Sequence, residues 1–164
     1  MPETSPIRPT DDEARALARD LMRQARFAAL GVVLDDGTPM VTRVAFGLDP
    51  AGGPLSLVSD LSAHSRALQA NPACSLLIGE PGPRGDPLIH PRLTLLGTAA
   101  FLRAGAPGHA EMAAHYLRDH PKAKLYIGFA DFAFVRITPR QGLLNGGFGR
   151  AFQLTSKDLA DLSP

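Results

Sequence analysis

Tryptophan is absent from the 164-residue chain, and there is one cysteine, Cys74. A single thiol excludes an intrachain disulfide framework and any zinc or iron–sulfur site built on several cysteines. A large charge of either sign is also missing: 17 Lys and Arg stand against 16 Asp and Glu, a net +1. That balance excludes a protein whose affinity rests on neutralising many phosphates. The longest apolar run, residues 27–34, falls well short of the ~18 residues that a spanning helix needs. The first ten residues are polar and proline-rich and lack the apolar stretch of a secretory leader, so the expected location is the cytoplasm. At 45% hydrophobic residues the chain is too apolar for disorder. Its length suits one domain, expected over 1–164, with 1–9 as a flexible arm.

Self-sufficient catalytic signatures are missing too. No Gly-Lys-Ser/Thr phosphate loop and no Gly-x-Ser-x-Gly elbow occurs. His109-Ala-Glu111 has the deaminase His-x-Glu pattern, but no Pro-Cys-x-x-Cys follows. Glu111 and His115, four apart, read as a surface ion pair because no third ligand is in register. No catalytic residue and no metal site is therefore assigned. Either the protein only binds, or a cofactor brings the chemistry.

What is present is a clear change of hydrophobic period. Thr10-Asp-Asp-Glu13 reads as a capping box, and Ala14, Leu17, Ala18, Leu21, Met22 and Ala25 follow at helical spacing, so 11–26 is a predicted helix. Residues 27–34 and 40–48 read as strands joined by the Asp35-Asp36-Gly37-Thr38 turn. Further strands are expected at 55–59, 74–78, 92–102, 132–138 and 141–145, with short helices at 65–70 and 110–119. Thr155-Ser-Lys-Asp158 opens a last helical turn. The Gly- and Pro-rich stretch 79–87 reads as a surface loop. Many hairpins with few helices indicate an α+β, mainly β barrel and not a βαβ sheet.

One constellation suits an anion. Arg43 lies inside an apolar strand, where a guanidinium is costly unless it meets a negative group or solvent. Ser62, His64, Ser65 and Arg66 cluster where the third strand runs into a helix N-terminus. Arg92 opens the long strand and is a second candidate cation.

With these segments in order, the sequence resembles the FMN-binding split-barrel superfamily that includes pyridoxamine 5′-phosphate oxidase, and within it the haem-utilisation, HugZ-type branch. The matching segments are Thr42-Arg-Val-Ala-Phe46, Ser59-Asp-Leu-Ser-Ala-His-Ser65, Arg92-Leu-Thr-Leu-Leu-Gly97, Phe129-Ala-Asp-Phe132 and Gly146-Gly-Phe-Gly-Arg-Ala151. The resemblance implies a six-stranded antiparallel split β-barrel with peripheral helices, a homodimer, and FMN in a groove shared by two subunits. It implies a flavin phosphate held by Arg43, assisted by Ser59, Ser62, His64, Ser65 and Arg66. The backbone at Val44 and Ala45, with Val58 alongside, would face the ring. Arg92 would stand near the isoalloxazine, and Gly149 and Arg150 close to the site. The function so implied is an FMN-dependent oxidoreductase acting on a small molecule. Two alternatives stand beside it: a haem-binding or haem-degrading protein, with His64, His90 or His109 as iron ligand, and a cofactor-free binding module.

Overall fold

The structure is a computed structural model and describes residues 5–160. The strands are β1 (Ile7–Arg8), β2 (Phe27–Val33), β3 (Pro39–Ala45), β4 (Gly47–Leu48), β5 (Pro54–Ser59), β6 (Ala73–Ile78), β7 (Arg92–Arg103), β8 (Phe132–Asn145) and β9 (Ala151–Thr155). The helices are α1 (Asp12–Gln24), α2 (Ala63–Ala70), α3 (His109–Asp119) and α4 (Ser156–Ala160). No helix among the described residues is long and apolar enough to cross a membrane.

The helix-forming signals work mostly as read, with one correction at the first cap. The Asp11 carboxylate accepts the Ala14 amide at 2.8 Å, so Asp11 and not Thr10 caps α1. An Asp one residue later is as good a cap. It leaves the Thr10 hydroxyl to donate to the Gln153 carbonyl at 2.8 Å, tying the start of α1 to β9. The second box holds: Asp158 accepts from the Thr155 amide and donates its own amide to the Thr155 hydroxyl.

The strands form one sheet in the order β1-β9-β8-β7-β6-β2-β3, with β5 also on β8 and β4 on β5. This corrects the expected six antiparallel strands to nine strands in a mixed sheet, because β1 runs parallel to β9. Ile7 and Arg8, expected within a flexible arm, are those paired residues. The long strand β8 divides its second edge: its residues 132–136 pair with β5 and its residues 141–145 with β9.

Residues 132–138 and 141–145 were expected as two strands, but β8 runs through Pro139 unbroken. A register shift opposite Leu96 and Gly97 absorbs the proline, which needs no ladder partner at a bulge. Gly97 permits the close approach there, since a Cβ on it would lie 2.5 Å from the Thr138 carbonyl oxygen.

Alternation separates two faces. Leu30, Val44, Leu76, Leu93, Leu95, Leu144 and Leu154 point inward with Ala14, Ala18 and Met22 of α1 to make the main core. A smaller core joins α3 to β5 and β8 through Leu55, Met112, Tyr116 and Phe134. The other face of β2, β3 and β6 carries Phe27, Ala29, Gly31, Val41, Arg43, Ser75 and Leu77, and Ala29 pairs with both Arg43 and Leu77 across the sheet.

Candidate functional site

A cleft of about 440 Å³ opens where this outer face meets the loop between β6 and β7. Its apolar wall includes Phe27, Val41, Leu77 and Leu88, and its polar groups include Arg43, His90 and Arg92. Strand alternation puts Arg43 and Phe27 on one face, and the guanidinium carbon lies 5.4 Å from the Phe27 ring centre. Arg92 donates to the Leu88 carbonyl at 2.9 Å, holding the 3₁₀ turn Pro87–Ile89 at the mouth.

His90 is the imidazole of this cleft. Its Nε2 lies 2.8 Å from the Arg84 carbonyl oxygen. A carbonyl only accepts, so Nε2 carries a proton, and in the neutral ring the lone pair lies on Nδ1. Gly82 lies beside that nitrogen, where a Cβ would come within 3.4 Å of it. A histidine nitrogen with a free lone pair, two arginines and an apolar wall can hold a planar, anionic, metal-containing ligand.

The expected anion cluster is divided. Thr42 and Arg43 are neighbours on β3 and so face opposite ways. Thr42 goes to His64, with Oγ1 3.0 Å from Nδ1. His64 is half-buried, and burial holds its pKa below the usual histidine value. Arg43 meanwhile turns to the open cleft. Arg66 is exposed and borders a separate shallow recess with Asp35 and Asp36. Ser62 is the α2 N-cap without a side-chain hydrogen bond, and the Ser65 hydroxyl is fully buried without a partner among the described residues.

The remaining expected residues take the following places. Val44 and Val58 lie in the core, and the Ala45 carbonyl accepts the Ser56 hydroxyl at 2.7 Å. Ser59 donates to the Asp131 carboxylate at 2.5 Å. Arg150 is tied to Glu13 at 2.8 Å, beside Gly149 in its left-handed turn (φ 68°). His109 leans on Phe134, with ring centres 5.3 Å apart, and borders no part of the cleft. Leu77 and Leu88, which no motif marked, join the cleft only because β6 and the turn after it come to the same edge. Asp131 was also given no role; its signal was the Phe129-Ala-Asp-Phe132 segment, but its link to Ser59 spans distant sequence.

The family model described as CREG, beta-barrel matches residues 9–160. The chain is 37% identical over 117 residues to the chloroplastic non-canonical haem oxygenase HOZ of Arabidopsis thaliana, a stretch that is 71% of this chain and 35% of that protein. It is 26% identical over 147 residues to the haem oxygenase HutZ of Vibrio cholerae, covering 87% of this chain and 82% of the other. A haem-binding protein from Mycobacterium smegmatis superimposes with a TM-score of 0.82 at 30% identity, covering 94% of this chain and 62% of the other. The expectation of FMN is overturned by these relatives, which are named for haem.

Proposed function

The chain belongs to the CREG β-barrel family, among the pyridoxamine 5′-phosphate oxidase-like split barrels near the HugZ-type branch, and from this premise we propose that it binds haem in the cleft between β3 and the 79–91 loop. The observation that supports this reading is the joint presence of His90, Arg43 and Arg92 around an apolar wall. His90 would ligate the iron through Nδ1, and the two guanidiniums would meet the propionates. Phe27, Leu77 and Leu88 would cover macrocycle edges that are costly to leave in water. Bound haem supplies the oxygen and electron chemistry. The protein's part is to seat the ring and limit water.

Titration of the purified protein with haemin tests the reading. A saturable Soret band at one haem per chain is expected, and His90→Ala should change the band position and weaken binding. A wild-type protein that leaves the haemin spectrum unchanged overturns it. The haem oxygenase names of two relatives favour ring opening as the reaction. Loss of the Soret band with a biliverdin-type product, given oxygen and a reductant, is the check.

The same face supports a homodimer. Val41 is 68% exposed, Leu77 43% and Leu143 42%, and the small residues Ala29 and Gly31 lie between the larger ones. Several large apolar side chains exposed on one sheet face suit a second copy. Val41 and Leu77 also border the cleft, so a second copy would stand beside the haem. Light scattering should give twice the chain mass, and a monomeric mass at micromolar concentration sinks this part.

A further inference from the structure

Phe148 is 80% exposed, at the tip of the turn between β8 and β9. An aromatic ring left in water is unfavourable, yet the turn is built to present it. Gly147 and Gly149 both have positive φ, 118° and 68°, a conformation that ordinary side chains rarely adopt. The Gly146 amide donates to the Arg150 carbonyl at 2.9 Å, and the Arg150 amide to the Gly147 carbonyl at 3.2 Å. The Asn145 side chain accepts the Gly147 amide at 2.9 Å, and the Arg150–Glu13 pair ties the far side to α1. Phe148 therefore stands on a closed turn and not on a loose loop.

That turn adjoins the cleft. Arg92, a cleft residue, pairs with Asn145, the last residue of β8. A Cβ on Gly147 would lie 3.2 Å from the Ile89 carbonyl oxygen, in the segment that supplies Leu88 and His90 to the cleft. Leu88 and Ile89 are exposed as well, in the segment that lies beside the turn carrying Phe148.

We infer that Phe148 is a positioning residue for the cleft's ligand: its ring packs on the face or edge of a planar conjugated macrocycle seated beside His90. This deepens the haem reading and rests on it. Aromatic contact of this kind selects a flat π-system independently of any metal, whereas the histidine selects the iron.

The distinction gives the test. The full-length protein is titrated with haemin and, separately, with iron-free protoporphyrin IX. Phe148→Ala should weaken both by about ten-fold, Phe148→Tyr should restore both, and His90→Ala should weaken haemin far more than protoporphyrin. Chain mass by light scattering is followed in parallel. If Phe148→Ala binds both porphyrins like the wild type, the inference is overturned, and a changed mass alone would assign Phe148 to contact between copies. If the wild type binds neither porphyrin, the haem reading itself has failed, and this inference with it.

Discussion

The Thr42 hydroxyl and His64 Nδ1 lie 3.0 Å apart, joining β3 to the first turn of α2. This contact follows the alternation of β3, in which Val44 enters the core and Arg43 lines the cleft. Thr42 is committed to the helix, so Arg43, the next residue, is presented on the opposite face with Phe27.

Replacing Thr42 by Val keeps the shape and removes the partner of a half-buried imidazole. A loss of about 1 kcal/mol is expected. Chemical denaturation should show the loss, while Arg43-dependent ligand binding stays intact.

His64 also predicts a pH dependence. Burial lowers its folded pKa below the usual histidine value of 6.5, so the unfolded chain binds the proton more readily. Its contribution to stability is complete above 6.5 and fades as the pH falls through the lowered folded value. The carboxylates of Asp60 and Asp158 act in a separate window. Asp60 is held down first by its hydrogen bond from Arg103, and Asp158 first by the Thr155 amide. Their contributions are complete above 3.8 and are lost as the pH falls through still lower folded values. Melting curves should therefore fall in two stages on acidification, and His64→Gln should remove the upper one.

Asp49 is the costly polar residue of the fold. It is buried, accepts the Ala51 and Gly53 amides at 2.8 Å each, and meets Arg136 at 3.2 Å. Asp49→Ala removes a buried carboxylate that accepts both amides and meets Arg136 in the turn between β4 and β5, so a loss of about 2–3 kcal/mol is expected. The exposed pair Arg103–Asp60 is the contrast. Despite contacts of 2.7 and 3.0 Å, its charges remain wet. Arg103→Ala should cost less than about 1 kcal/mol.

Two glycines separate backbone from side-chain crowding. A methyl at Gly97 meets the Thr138 carbonyl oxygen at 2.5 Å, and one at Gly31 meets the Ser75 hydroxyl at the same distance. A backbone oxygen cannot move without breaking the β7–β8 register, but a serine hydroxyl can rotate. Gly97→Ala should lose about 1–3 kcal/mol, and Gly31→Ala much less. Thermal unfolding of the two variants side by side decides the ranking.

Much of the fold was legible in local chemistry. The 3.6-residue spacing of Ala14, Ala18 and Met22 gave α1, and Gly37, at φ 85°, gave the β2–β3 turn. Less legible were features that depend on what stands opposite. Pro139 reads as a break, and becomes part of β8 only because Gly97 allows a bulge across from it. The strand Ala151–Thr155 was missed because its pairing partners, β8 and the distant Ile7–Arg8, cannot be seen from its own five residues. Among the site residues, Arg43, Arg92 and His90 were each nameable from sequence. That they share a cleft while His64, Ser65 and Arg66 do not was not.

The sequence alone determined the class of protein: a mainly β chain with one thiol and no excess charge. Those are properties of residue type and short-range period, which do not depend on neighbours far along the chain. Only the tertiary structure decided which cations share one cleft. Strand alternation sends adjacent residues to opposite sides, and the pairing of β2 with both β3 and β6 sets which of them meet at one edge.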